Sequence, residues 1–491
     1  MIWHKGIPDN KVRVFLVVVV LLSTMLLPVM KVHPSLPSLR LEEGVLFGGW
    51  LFCLAAVVYR KVMARISSKK SEDSPDDDSV DMEVDRTVGR VINILFLFLV
   101  VSFCASSFYA VSFLHGSFSF RDIMELFIFA KYYLTLSLVV SIRLGPGEWR
   151  FLGAAVCVSA LIMGIIGGIQ YLNLANFNAW AAFLNPSHWD FYLGLPVRVL
   201  GALDNPNYLG ILVVIMLSVF AMRYLFAEKS LKAFPWALLA LMALLIKLVY
   251  LTISRSAVVG LALLFVFCSG WVLWRSAQKR KTLLRVGALF VVTAVLFLTG
   301  PGDFLSRMIS GVDIAEDTSM AGRADRWAAA GDAAKTSPLL GVGSQKGVMS
   351  SIVDNEFLLY LRRYGILGLA AYLSFFLVPW FLAVKALRNA AKNNNAFSRG
   401  SPLPVELAPA AAYMLVLPSI FVFSFISGFF YNLQAMTVLA VLMGFACNAY
   451  AESKRSCQNE INGSESQGGQ GEEVSGSPKG VYIPLDEGNV G

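Results

Sequence analysis

About twelve apolar runs of roughly 18 residues or more divide this chain, and no motif constrains its fold as strongly. Inside a bilayer no water satisfies main-chain amides and carbonyls, so such runs become helices that close their own hydrogen bonds. The runs lie near Lys11 to Met30, Gly44 to Met63, Val91 to Leu114, Ile123 to Ile142, Phe151 to Leu172, Leu209 to Phe226, Phe234 to Leu251, Ala257 to Trp274, Leu283 to Thr299, Gly365 to Leu387, Ala408 to Ile426 and Phe430 to Tyr450. The expected fold class is all-α, a polytopic membrane protein with about 12 transmembrane helices. Composition agrees: of 491 residues 56% are hydrophobic and 15% charged, with mean hydropathy +0.64, which excludes a soluble globular domain.

The formal charge of +8 and the pI near 9.1 do not point to nucleic acid, because Lys and Arg mostly flank apolar runs and so set topology. With the N-terminus inside, the inner segments hold Arg60, Lys61, Arg65, Arg143, Arg150, Arg223, Lys229, Arg275, Lys279, Arg280, Lys281, Lys385 and Arg388 among others. Both termini are then expected on the inner face. The first run, from Val14 to Met30 after Lys5, Lys11 and Arg13, is too long for a signal-peptide core and lacks a small-residue cleavage site, so it reads as a retained span.

A membrane domain is expected over residues 1–452, interrupted by a solvated inner linker at 67–85 that carries Asp76, Asp77 and Asp78. Residues 453–491 read as a Gly/Ser/Glu-rich disordered tail. Two outer segments, 173–207 and 300–355, are long but rich in Trp, Gly and Pro, and are expected to form a small helical cap. Within the second, Gly322 to Lys335 has the Ala-rich, charged composition of a short helix that stops at Ser337 and Pro338.

The cap is also where cations defy the usual bias. Arg198, Arg255, Arg323 and Arg326 fall at the outer face, which points to a bound anion. Arg255 sits in a turn between two closely spaced apolar runs, where contact with lipid phosphate is the competing explanation. Arg323 and Arg326 are spaced to share one helix face, with Trp327 beside them. Asn205, Pro206 and Asn207 read as a turn feeding the next helix.

Asp354, Asn355 and Glu356 stand at the mouth of a helix, either as caps or as an acid able to deprotonate a hydroxyl near the arginines. Lys247 lies within a span and calls for a partner. Arg121, Asp122, Glu125 and Lys131 read as an internal salt-bridge set or the wall of a polar cavity, with the structural reading preferred. His4, His33, His115 and His188 lack ligand spacing, and no HExxH, CxxC or Gly-rich phosphate loop is present, so neither metal nor cofactor is expected. The six cysteines read as small core hydrophobes.

Four segments in order, RVLGALDNPNYLG, TISRSAVVGLAL, GRADRWAAAGDAAKTSPLLGVGS and DNEFLLYLRRYGILG, resemble the O-antigen polymerase and ligase superfamily of bacterial membrane glycosyltransferases. The resemblance implies a metal-independent enzyme of the bacterial cytoplasmic membrane that moves a glycan from a polyprenyl diphosphate carrier to a sugar hydroxyl on the outer leaflet. Arg255 and Arg323 would then grip the diphosphate, with Arg198 and Arg326 in support. Asp354 would be the base and Glu356 its rival, while Asn355, Trp327, Asn207 and Lys247 complete the expected substrate-binding set.

Ligases of that family carry His-Asn where Asp354 and Asn355 stand here, which favours the polymerase branch, making O-antigen, capsule or exopolysaccharide. The implied partners are the lipid bilayer, a polyprenyl-diphosphate-linked oligosaccharide, a chain-length regulator and a flippase. A ligase is the alternative within the fold. A transporter is the alternative outside it, weakened because the two halves of the chain show no mutual similarity.

Overall fold

The computed structural model describes residues 2–7, 9–28, 40–67, 79–179, 197–226, 234–275, 279–299, 318–345, 353–393 and 403–468. Among these, regular structure is entirely helical: α1 (Ile2–Gly6), α2 (Asn10–Leu26), α3 (Leu41–Ser67), α4 (Ser79–Phe113), α5 (Phe120–Val140), α6 (Pro146–Leu172), α7 (Pro206–Leu225), α8 (Phe234–Leu251), α9 (Arg255–Arg275), α10 (Lys279–Leu298), α11 (Thr318–Thr336), α12 (Glu356–Asn393), α13 (Ala408–Ile426) and α14 (Leu433–Gly468). Ten of these, α3 to α9 and α12 to α14, contain stretches long and apolar enough to cross a membrane. The two other expected spans are present as shorter helices, α2 with 17 residues and the apolar stretch Leu283–Leu298 of α10. The protein is a polytopic all-α membrane protein.

Helices apolar on every side belong in the middle of such a bundle. Accordingly α7, α13 and α14 bury most of their residues, whereas α3 turns much of its surface outward. With lipid tails as apolar as leucine, close packing drives helix association, and small residues allow it. The fully buried Ala410, Ala411 and Ala412 line α13, which packs against α12, α9 and α7. Gly210 of α7 lies so close to Ala257 of α9 that a side chain at that glycine would collide with the alanine. At one end of the bundle α5 terminates on side chains from both ends of the sequence. Asn448 donates to the Val139 and Ile142 carbonyls at 2.8 and 3.0 Å, and Arg13 donates to the Ser141 carbonyl.

α4 begins at Ser79 and α14 continues to Gly468, so helix extends into both stretches expected to be unstructured. The acidic run Asp76 to Asp78 and residues 469–491 lie outside the described residues, as do 180–196, 300–317 and 346–352 of the two long loops. The expected cap helix is α11, which spans Thr318–Thr336. His33 and His188 also lie outside the described residues.

Of the charges that open α5, Asp122 is used locally, whereas Glu125 and Lys131 find partners on other elements. Asp122 accepts the Ser119 amide at 2.7 Å and so closes the start of α5. Lys131, 2% exposed, pairs with Glu42 and Glu43 of α3 at 3.0 and 3.1 Å. Glu125 reaches α12, as described below. The structural reading of these charges stands, but the ion pairs tie different helices together rather than lying along one.

Candidate active site

Two groups of polar side chains assemble at the end of the bundle that carries α11. The first is built on the turn before α7. Asn205 caps that helix, its side chain accepting the Asn207 amide at 2.8 Å, and Pro206 fills the first helical position where no amide partner is needed. Asn207 then accepts Arg198 Nη2 at 3.1 Å, while Arg198 Nε donates to the Thr252 carbonyl at 3.1 Å. Thr252 and Ile253 form the turn ending at Arg255, the half-buried first residue of α9. Arg198 is therefore held beside the turn that presents Arg255.

Gln170, fully buried near the end of α6, fixes the chain just after Arg198. Its side-chain oxygen accepts the Leu200 and Gly201 amides at 3.1 and 2.8 Å, and its amide donates to the Gly201 carbonyl at 2.8 Å.

The second group joins α11 to the mouth of α12. Arg326 Nη2 donates to Asp354 Oδ2 at 2.7 Å, and Arg323 Nε lies 3.4 Å from the same oxygen. The spacing expected to put both arginines on one helix face thus converges them on one carboxylate. Trp327 packs beside Ala330, Val353, Leu358 and Leu359.

The turn between α13 and α14 and the start of α14 reach toward the two groups. Tyr431 packs on the Trp327 cluster, and Gln434 approaches the Ala202 carbonyl at 3.4 Å.

The neighbours of Asp354 face elsewhere. Asn355 is the helix cap: it is buried, and its side-chain oxygen accepts the Leu358 amide at 3.1 Å. Replacing it by alanine is expected to destabilise the protein by about 1 kcal/mol, read from thermal unfolding in detergent. Glu356 is fully buried and accepts the Phe430 amide at 3.3 Å, whereas Asp354 is the carboxylate paired with Arg323 and Arg326. Lys247 places its ammonium 4.6 Å from the centre of the Tyr250 ring one turn along α8. That ring is the partner the sequence left open.

α12 is not one continuous helix. Gly365 has φ +64 and ψ −163, a conformation essentially reserved for glycine, and breaks it into a short segment before Gly365 and a long one after it. The loop that follows α11 fills the break as a main-chain seam. Val342 and Gly343 donate to the carbonyls of Arg362 and Arg363, each at 2.9 Å, and Ile366 donates to Pro338 at 2.8 Å. A side chain at Gly341 would strike the Arg363 main chain, and one at Gly365 would strike that of Leu339.

Sequence reasoning missed this seam. It also missed the pairing of Arg363 with Glu125, for which the only trace was an acid inside one apolar run and a cation just ahead of another. Among the described residues no group of three or more His, Cys, Asp or Glu side chains is gathered to hold a metal.

These features define a class: a polytopic helical membrane protein with arginines and a carboxylate gathered at one end of its bundle. Residues 237–373 match the family model described as O-antigen ligase, a stretch containing Lys247, Arg255, the whole of α11, Asp354 and the break at Gly365. The match supports the O-antigen polymerase and ligase superfamily, whose members are glycosyltransferase-like enzymes acting on lipid-linked glycans. Arg198 and Asn207 lie ahead of the matched stretch. No curated protein matches the chain.

Proposed function

We propose that this protein is a surface-polysaccharide polymerase, moving a growing glycan from its polyprenyl diphosphate carrier to a lipid-linked repeat unit at the outer leaflet of the bacterial cytoplasmic membrane. The observation that carries the reading is Asp354 held between Arg323 and Arg326 at the mouth of α12. In the reaction an acceptor sugar hydroxyl attacks the anomeric carbon of the donor glycan. The bond from that carbon to the diphosphate oxygen breaks, and the hydroxyl proton passes to Asp354. Negative charge builds on the departing diphosphate, where guanidinium groups in a sheltered site stabilise it better than water does.

Two arginines carry many more N–H donors than one carboxylate accepts, so Arg323 and Arg326 can hold Asp354 and a diphosphate together. Arg255, set beside Arg198, is the further arginine assigned to the diphosphate. The leaving group carries the free energy of the transfer, so no nucleotide is needed.

The test is replacement of Arg255 and Arg323 singly by alanine in the native host, with the surface glycan run on a gel. Each loss is expected to cut polymer formation by about 10²–10³-fold, the effect of removing one donor to a developing anion. Unaltered chain length in both variants would sink the proposal.

A second reading, ligation of finished glycan to a lipid or protein acceptor, is favoured by the description of the matched family model. The aspartate in place of the family ligases' histidine favours polymerisation instead. Loss of a polymerase leaves single repeats on the carrier, whereas loss of a ligase leaves free polymer on it.

A further inference from the structure

Arg363 closes the short first segment of α12 and is buried where a guanidinium is costly. Its Nη1 donates to Glu125 Oε1 of α5 at 2.6 Å and to the Tyr431 hydroxyl at 3.1 Å. The Tyr431 hydroxyl in turn donates to the same glutamate oxygen at 3.0 Å, and the guanidinium lies 5.4 Å from the centre of the Tyr431 ring. The main chain of Arg363 is held as firmly, its carbonyl accepting the Ser106 hydroxyl at 2.6 Å and the Gly343 amide at 2.9 Å.

These contacts converge on the junction that matters for the candidate site. Immediately ahead of the segment ending near Arg363 stands Asp354. The loop that pairs with Arg362 and Arg363 is the direct continuation of α11, which carries Arg323 and Arg326. One residue therefore ties the base-bearing element and the arginine-bearing element to α5 and to the α13–α14 turn.

A buried ion pair is weak as a source of stability, because desolvation offsets most of its attraction, and apolar residues of similar volume pack as well. Its worth lies in fixed direction and register. We propose that Arg363, with Glu125 and Tyr431, is a positioning residue that sets Asp354 against Arg323 and Arg326. The inference rests on the reading of Asp354 as the base.

The experiment uses the purified full-length protein in detergent, with lipid-linked repeat units from the native host as substrate. Glu125→Gln combined with Arg363→Met removes both charges and leaves neither orphaned. This double variant is expected to melt like the parent while kcat falls about 10- to 100-fold and KM moves less than about two-fold, as for a small misplacement of a reacting group. Arg363→Lys, which keeps a cation against Glu125, is expected to restore most of that rate.

A folded double variant with parental kcat, or one whose loss is confined to KM, overturns the inference. Should the double variant fail to fold, Tyr431→Phe removes only one hydroxyl and carries the same test: a fall in kcat at constant KM supports the inference and a parental kcat overturns it. Asp354→Asn is measured alongside. If it retains full activity, the base reading fails and this inference fails with it. If it is inactive while the double variant is not, the positioning role alone is wrong.

Discussion

Asp354→Asn is expected to slow glycan transfer by about 10²–10⁴-fold, the contribution of a positioned general base. Asparagine keeps the volume and one oxygen but cannot take the proton. The change also removes the one negative charge that Arg323 and Arg326 share. Because that cluster is partly exposed, its effect on stability is small beside its effect on rate. Initial rates of purified protein on lipid-linked repeat units, with unfolding followed in parallel, separate the two. Parental rates would remove Asp354 as base. The rival carboxylate, Glu356, is fully buried and accepts the Phe430 amide, so it would have to leave that bond to replace it.

Gly365→Ala is expected to destabilise the protein by about 2–6 kcal/mol. Two causes add: a positive-φ conformation that costs other residues about 1–3 kcal/mol, and a methyl group forced into packed main chain for about 1–3 kcal/mol more. The new side chain would meet the Leu339 carbonyl in the seam, so the strain falls on the loop after α11 as well as on α12. Yield of monodisperse protein in detergent and its melting temperature report the effect. A variant as stable as the parent would show that α12 has another way to break.

The parts of this architecture visible in the sequence are those set by local signals. Apolar run length located every long helix, Ala-rich composition located α11, and Asn205 and Asn355 act as the caps their positions suggested. The same locality explains why Arg323 and Arg326 were legible as one face. What the sequence hid depends on contacts between distant stretches. Glu125 and Arg363 are 238 positions apart, and nothing near either names the other. Glu356 opens α12 and Asp354 stands two residues ahead of it, yet that small step buries one and leaves the other paired with the arginines. Lys247 found an aromatic face instead of an acid, a choice that helix spacing allows but does not dictate.

The pairing of the loop after α11 with the break in α12 is made from amides and carbonyls, so it reads the length of the chain and is nearly blind to what the chain carries. Leu339 is 64% exposed and can drift to almost any residue as this sequence diverges. An insertion or deletion between Ser337 and Gly343 is another matter. It would throw Gly341 and Gly365 out of step with the backbones they admit, and descendants of this protein should keep that spacing long after the letters between have changed.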